Sequence, residues 1–427
     1  MNLHTLLAAR AESGRPVRAG LVGAGKFGSM VLAQAQRIAG LHIVGVADLD
    51  PARAHAALHR VGWPPERAAA PTLADAVKTG RTCVLEDAAA LCAADGIDCI
   101  IEATGHPLAG VRHALAAIEG GKHVVMVNVE ADVLCGPALA ARARASGFEV
   151  TAAGKGMNYE PRYRYSTPAT VWDFFGFSEE EVRLGDFNPK MYNSFTDGTK
   201  AAIEMAAVAN GTGLDCPEGG LAFPPAGLHD LARVFRPKAD GGRMDRAGLV
   251  EVAASQEPDG REVANNIRFG VFVTFKAPND YVRACFRQYG LATDPSGWYA
   301  SMWRPFHLIG LETSVSVLSA VLRNEPTGSS KEFRGDAVAF AKRDLQPGET
   351  LDGEGGFCVS ANAIPAARSL AEGALPIGLA HNVKLRRPVA KDGIVRYADV
   401  ELAGDLDVVA VRREMEAGTH PVARAAE

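Results

Sequence analysis

This chain has no C-x-x-C pair and no H-E-x-x-H run, so nothing marks a dedicated zinc site. Its 7 cysteines (83, 92, 99, 135, 216, 285 and 358) are odd in number and mostly set in apolar surroundings. They read as buried, reduced thiols of a cytoplasmic protein rather than as a disulfide framework. No stretch reaches about 18 apolar residues, so none is expected to span a bilayer. Positive charge is not in excess: 45 Lys and Arg against 50 Asp and Glu leave a formal net charge of -5. That excludes the electrostatic footprint of a nucleic-acid or anionic-membrane binder. No internal repeat is evident. What the chain does have is length and apolar content: 427 residues, 47% hydrophobic, enough for two or three domains with sizeable cores. Residues 1–12 form an amphipathic helix with a charged end, not a signal peptide. The first fifteen residues either pack on the next domain or mediate an oligomer contact.

The organising stretch is 17–28, where the apolar run Ala19–Val22 breaks at Gly23-Ala-Gly25 and restarts after Gly28. Gly23, Gly25 and Gly28 have the spacing G-x-G-x-x-G between a strand and a helix, with Lys26 and Phe27 in the interval. The first glycine makes a tight turn, the second lets a diphosphate approach the backbone, and the third lets helix pack on strand. The helix start then offers free N–H groups and a positive dipole end to phosphate. A second apolar run, 42–47, ends in Asp48. A carboxylate there accepts hydrogen bonds from both ribose hydroxyls and repels a 2′-phosphate, so NAD is favoured over NADP. The competing role for Asp48 is the N-cap of the helix that opens at Pro51.

Strand and helix patterns alternate onward. A helix is expected from Ser29 to Ala39, another over 51–62, and a short edge strand over 82–86. Strand 97–102 runs into Glu102-Ala-Thr-Gly105, helix 108–120 follows, and strand 123–128 ends in Asn128. The alternation predicts right-handed crossovers in a parallel, doubly wound Rossmann sheet. Ligands lie beyond the carboxyl ends of such strands. Thr104, Gly105 and Asn128 are therefore candidates for the nicotinamide side of the cofactor, with ordinary turn bonding as the alternative for Thr104 and Asn128. Glu102 is either a functional group or a carboxylate on the rim.

After a helix at 136–146, the run Phe148–Gly156 reads as a further strand that ends in Lys155 between two glycines. Lys155 is set to act on a carbonyl oxygen, as electrophile or proton donor, or else is a solvated turn lysine. Residues 157–195 are an irregular, aromatic-rich crossing. In 195–213, Thr199 can cap a helix carrying Lys200 and Glu204 at i, i+4 spacing. Either these form a surface ion pair or, since their flanks are small and apolar, they are charges placed for chemistry. Residues 267–276 alternate as a half-buried strand. Arg304 is a candidate anchor for an anionic substrate group, and His307 a residue that helps hold it or simply packs. An apolar helix over 308–322 is expected between domains. Residues 324–331 form a linker, 336–402 a small β-rich unit, and the last twenty residues a mobile end.

On the glycine motif, Asp48, Glu102–Gly105 and the 195–213 helix, the chain resembles the homoserine dehydrogenase-like oxidoreductases. More narrowly, it is similar to the branch with a C-terminal antifreeze-like (SAF) domain, which opens with a run like Ala341–Leu351. Val125–Asp132, Ala153–Gly156, Glu204–Asn210 and Arg304–His307 match that branch most specifically, and the likeness covers nearly the whole chain. That branch includes a reductoisomerase of 1-deoxy-D-xylulose 5-phosphate that uses NADPH. The resemblance implies a Rossmann domain (1–150), a central α+β catalytic and dimerisation domain (151–325) and a SAF-like domain (333–405). It implies hydride transfer on a small polar hydroxy or oxo substrate, with NAD or NADP as cofactor, in a homodimer or homotetramer. A divalent metal, on carboxylates such as Glu130 and Glu204, enters only for a reductoisomerase. Two departures stand out: Asp48 disfavours NADP, and Ala145-Ser-Gly147 runs directly into Phe148 where relatives carry a further strand and helix. The latter brings in a third reading, a protein that binds NAD(H) without chemistry.

Overall fold

The computed structural model describes residues 2–133, 150–184, 187–306, 310, 313–402 and 406–418. It divides into two units, Met1–Cys135 with Leu308–Ser329, and Gly136–His307 with Ser330–Glu427. His307, the helix expected over 136–146 and the junction at 145–148 lie outside the described residues. Among the described residues no helix is long and apolar enough to cross a membrane. The six cysteines among the described residues are free thiols, Cys285 partly exposed and the other five buried. Burial pushes Cys92 up to about 11 and Cys99 up to about 12.

The first unit is a parallel sheet of β1 (Val17–Val22), β2 (Leu41–Ala47), β3 (Cys83–Leu85), β4 (Cys99–Glu102) and β5 (His123–Met126), ordered β3-β2-β1-β4-β5. Helices α1 (Leu3–Glu12), α2 (Lys26–Ala35), α3 (Pro51–Arg60), α4 (Leu73–Thr79), α5 (Ala88–Ala93) and α6 (Pro107–Glu119) alternate with the strands. Because strand side chains alternate, the sheet feeds two cores. Leu21, Ile43 and Ile101 meet Leu32, Leu58 and Val317 in one, and Val44 and Ile100 meet Leu91 and Ile97 in the other. A Cβ at Gly45 would lie 2.5 Å from Leu91, which is why a glycine stands inside β2. The edge strand expected at 82–86 is β3, and α2 stops at Ala35, short of the expected Ala39, because turns carry the chain from Gln36 to Gly40. Leu7 of α1 lies in the first core, so the amino-terminal helix packs on this unit. The apolar helix expected between domains is Thr313–Arg323 and also belongs here, with Val317 and Leu318 buried against the sheet.

The second unit holds a mixed sheet of β6 (Val150–Met157), β7 (Leu249–Ala254), β8 (Val271–Lys276), β9 (Ala292–Thr293) and β10 (Tyr299–Arg304), ordered β7-β6-β8-β10-β9. The further strand expected over 148–156 is β6, which belongs to this second sheet, parallel to β7 and antiparallel to β8. The helix Thr199–Thr212, hereafter the central helix, contacts β6 and β7 and also the strands β11 (Gly335–Ala341) and β13 (Val359–Pro365) of the carboxyl-terminal region. Strands β12 (Thr350–Asp352), β14 (His381–Leu385) and β15 (Val400–Glu401) form a further sheet. The supposedly mobile end contains the helix Leu406–Glu416. Its Arg412 is fully buried and pairs with Asp336 (Nη2 to Oδ2, 2.6 Å) and with Glu416. A long cationic side chain buried at a helix's inner face, paired with carboxylates, looks solvated in one-dimensional sequence and is not.

Candidate functional site

In the first unit β1 lies between β2 and β4, so the loops after β1 and β4 meet where the strand order reverses, the usual ligand crevice of such sheets. The meeting is tight. Gly23 has φ +99, and a Cβ there would stand 2.7 Å from the Ala103 carbonyl oxygen. A Cβ on Gly28 would stand 2.2 Å from the Gly23 carbonyl oxygen, so α2 starts against the turn only because Gly28 lacks one. Gly25 differs: a Cβ there meets only Arg53 Nη2, at 3.6 Å. Gly25 is the N-cap of α2 and supplies no side-chain cap. Open backbone, an uncapped ten-residue helix and a nearby guanidinium fit the diphosphate of a dinucleotide. Lys26 is exposed on the first turn, while Phe27 packs partly into the core.

Asp48 is half-buried and ties the two loops. Its Oδ2 accepts from Ala24 N (2.8 Å), on the glycine loop, and its Oδ1 from Asp50 N (3.1 Å). It does not cap α3; Asp50 does, accepting from Ala52 N. Asp48 is thus aligned with the cofactor loop, with lone pairs remaining for a ribose. The loop after β4 is held by a chain of bonds. Thr104 Oγ1 donates to Glu102 Oε1 (2.6 Å) and accepts from Asn128 Nδ2 (3.2 Å). Asn128 Nδ2 also donates to His106 O, and its Oδ1 accepts from Ala131 N. Asn128 is buried with all these contacts internal, so its side chain shapes the loop, whereas Thr104 and Gly105 are exposed. Glu102 is no rim carboxylate: it is wholly buried, with Oε1 also facing His113 Nδ1 at 3.1 Å. Glu130 is buried in this unit too.

In the second unit Lys155 is buried in the middle of the sheet rather than at a turn. Its flanking glycines are needed for backbone contact: a Cβ at Gly154 would lie 1.8 Å from the Glu251 carbonyl oxygen, and one at Gly156 1.8 Å from that of Ile267. Lys155 Nζ pairs with Glu204 Oε2 of the central helix. The N-cap of that helix is Gly198, in the left-handed region, not Thr199. Thr199 instead accepts from Ala361 N of β13 (2.9 Å). Lys200 and Glu204 share the partly exposed stripe of an otherwise buried helix, the wet face that the i, i+4 spacing implies. Cross-strand register adds Arg304. Lys155 pairs with Val271, and Val271 with Arg304, so all three occupy one row on one face of the sheet. Two strand spacings separate Lys155 from Arg304, about 10 Å. Arg304 and Met302, two positions earlier on the same face, are exposed. The structure thus brings Lys155 and Glu204 together, with Lys200 one turn away on the same helix and Arg304 in the same cross-strand row as Lys155.

Sequence reasoning overlooked Arg53 and the buried bond between Glu102 and His113. The first had a signal, an arginine on the opening turn of the helix after Asp48; the second depends on α6 crossing β4 and had none. Among the described residues no group of three or more His, Cys, Asp or Glu is placed to hold a metal ion.

Three family models match the chain. The NAD-binding domain of homoserine dehydrogenase covers residues 19–153, the catalytic domain of oxidoreductase DRL covers 137–313, and the SAF domain covers 336–401. No curated protein matches it. Among solved structures it is similar to an NAD-binding oxidoreductase from Klebsiella pneumoniae (21% identity, 26% of each chain, TM-score 0.19). It is also similar to myo-inositol dehydrogenase from Lactobacillus casei with NAD(H) (14% identity, 37% of this chain and 50% of that one, TM-score 0.23). Biliverdin reductase with NADP+ from Synechocystis sp. is a third (19% identity, 38% of this chain and 53% of that one, TM-score 0.22). The chain spans about a quarter to a half of the length of these structures, and likenesses at such TM-scores bear no weight. The domain matches do: residues 19–153 match an NAD-binding domain, 137–313 an oxidoreductase catalytic domain and 336–401 a SAF domain.

Proposed function

We propose that the protein transfers hydride between a nicotinamide dinucleotide and a small polar hydroxy or oxo substrate, with NAD preferred, in the manner of the homoserine dehydrogenase-like enzymes. The observation that carries this reading is the Lys155–Glu204 pair, an ammonium and a carboxylate held together on a sheet face that is open at Arg304. The cofactor, when bound, supplies or takes the hydride. The glycine loop and the start of α2 hold its diphosphate, Asp48 its adenosine ribose, and Thr104 and Gly105 flank its nicotinamide side. Lys155 donates a proton to the carbonyl oxygen as it becomes an alkoxide, or takes it back in the reverse direction. A positioned donor of this kind typically contributes about 10²–10⁴ in rate. Glu204 fixes the ammonium and relays the proton to solvent along the wet stripe shared with Lys200. Arg304 holds an anionic group of the substrate, with His307 as its proposed companion. The test is titration of the full chain with NADH and NADPH, followed by a panel of hydroxy acids, polyols and aldehydes. Lys155→Ala should lower turnover about 10²–10⁴-fold and leave coenzyme affinity unchanged; equal loss of both would reject the role.

A second reading, a reductoisomerase acting on a sugar phosphate, rests on the resemblance to the SAF-bearing branch, and the oxidoreductase catalytic-domain match over 137–313 is compatible with both readings. It adds a divalent metal, and among the described residues no group of three His, Cys, Asp or Glu is placed to hold one. Turnover of 1-deoxy-D-xylulose 5-phosphate with magnesium or manganese separates the two.

A further inference from the structure

A buried charge lies behind the loop that follows β4. Glu102 closes that strand and pairs in register with Val22, the last residue before the glycine turn. From there the chain runs against the turn itself. A Cβ on Gly23 would stand 2.7 Å from Ala103 O and 2.9 Å from Thr104 N. Glu102 therefore sits at the base of the crevice, directly behind the exposed Thr104 and Gly105.

The hydrogen bonds around Glu102 fix where the protons are. Thr104 Oγ1 accepts from Asn128 Nδ2 (3.2 Å) and from His106 N (3.3 Å), both of which can only donate. Its one proton therefore goes to Glu102 Oε1, 2.6 Å away, and the hydroxyl has nothing left to offer a ligand. Glu102 Oε1 also faces His113 Nδ1 at 3.1 Å. An imidazole is a stronger base than a carboxylate, so a proton shared by this pair belongs to His113 and Glu102 is the anion. Glu102 Oε2 is buried and, among the described residues, has no hydrogen-bond partner. When His113 is neutral, a negative charge stands wholly inside the protein, where water and salt screen it poorly. No atom of Glu102 opens on the crevice. What reaches a ligand there is its field, across one side chain.

Given the coenzyme proposed for this crevice, and resting on that proposal, we infer that Glu102 favours the oxidised form through the positive charge of its nicotinamide ring, with His113 as the group able to cancel that preference. When an oxo group is reduced, its carbon takes the hydride of the reduced coenzyme and its oxygen takes a proton. The ring left behind is cationic, whereas the reduced ring is neutral. A negative charge fixed beside the place where positive charge appears stabilises that outcome. Glu102 is thus a positioning residue that biases the bound coenzyme toward giving up hydride, and it touches neither coenzyme nor substrate.

The test is the ratio of the dissociation constants of NAD+ and NADH on the full chain at about pH 9, well above the ordinary imidazole value of about 6.5. NADH is followed by its fluorescence, and NAD+ by displacement of NADH. Glu102→Gln keeps an acceptor for Thr104 and removes the charge. His113→Lys leaves Glu102 in place and sets a cation near it. Each should weaken NAD+ relative to NADH by about threefold or more, whereas loss of a merely structural support would weaken both alike. His113 is only partly buried, so its variant carries the test if Glu102→Gln does not fold. An unchanged ratio in a folded variant, or a shift in favour of NAD+, would overturn the role. Wild-type protein that takes up neither coenzyme would instead overturn the proposed coenzyme site, and this role with it.

Discussion

Two glycine clusters do the same steric job in the two units and reach opposite ends. Gly23 and Gly28 lack Cβ atoms so that a turn can close on itself, and the closure leaves the start of α2 uncapped and open. Gly154 and Gly156 lack them so that carbonyls of Glu251 and Ile267 can come in close, and this closure walls in Lys155. The first cluster makes a site out of backbone. The second makes room for one side chain whose partners come from elsewhere: Glu204 from the central helix, and that helix from its own anchors. Backbone sites are local and depend on a few adjacent residues. Side-chain sites depend on everything that fixes the supporting element.

The anchors of the central helix make the contrast sharper. Lys342 of the SAF region is buried against Asp197, 2.6 Å from its Oδ2, and donates to Ser166 O and Gly356 O. Asp197 Oδ1 in turn accepts from Thr199 N at the start of the central helix. At the far end Asn210 Oδ1 accepts from Gly335 N and Arg334 N, while its Nδ2 donates to Gly335 O. The SAF strands therefore hold the helix that presents Glu204 to Lys155.

If that is right, substitutions in the two regions separate cleanly. The largest effect is expected for Lys342→Met, which leaves Asp197 charged and buried without its partner. Loss of one member of a buried pair is destabilising by about 3–5 kcal/mol. Thermal denaturation should show that loss, and NADH binding below the transition should persist; loss of both together would break the separation. Next is Lys155→Ala, expected to lower turnover about 10²–10⁴-fold with NADH affinity intact, read in steady-state assays once a substrate is in hand.

A titration of stability comes third. Burial pushes the Glu251 carboxyl up to about 7, against the pull of hydrogen bonds from Ala222 N, Val252 N and Phe223 N. A carboxyl whose pKa is higher folded than unfolded stabilises the fold fully at low pH. That contribution is lost as pH rises from the unfolded value near 4.5 through about 7. Glu251→Gln should flatten this slope, so the gap between wild type and variant should shift in favour of the variant between pH 5 and pH 8. Parallel curves from chemical denaturation at both pH values would contradict it. The smallest effect is expected for Arg53→Ala, about tenfold in coenzyme affinity through one charge-assisted phosphate contact. A much larger loss for NADPH than for NADH would show that Arg53 serves a 2′-phosphate and that Asp48 does not exclude it.

The same contrast explains what could be read from the amino-acid string. The nucleotide sheet was legible because strand, glycine turn and helix follow each other within a dozen residues and repeat with the right periods. Even there α2 ended early, where the turns before Gly40 interrupt an apolar pattern that continues past them. Strand β6 was legible as a strand but not as a member of another sheet, since its partners β7 and β8 lie about a hundred residues on. Lys155 and Glu204 could each be singled out by their small, apolar flanks, but nothing in their surroundings announced that they pair. Glu102 and Arg412 show the limit most plainly. A charge in a sequence looks like a solvated one until the partner that buries it, His113 or Asp336, arrives from a distant element.

The most direct test of the account is a fluorescence titration of the purified full chain with NADH, repeated on Gly28→Ala. Saturable binding by the wild type, lost when a methyl group is forced toward the Gly23 carbonyl, is the predicted result. No uptake of NADH or NADPH by the wild type, or binding indifferent to that methyl group, would contradict it.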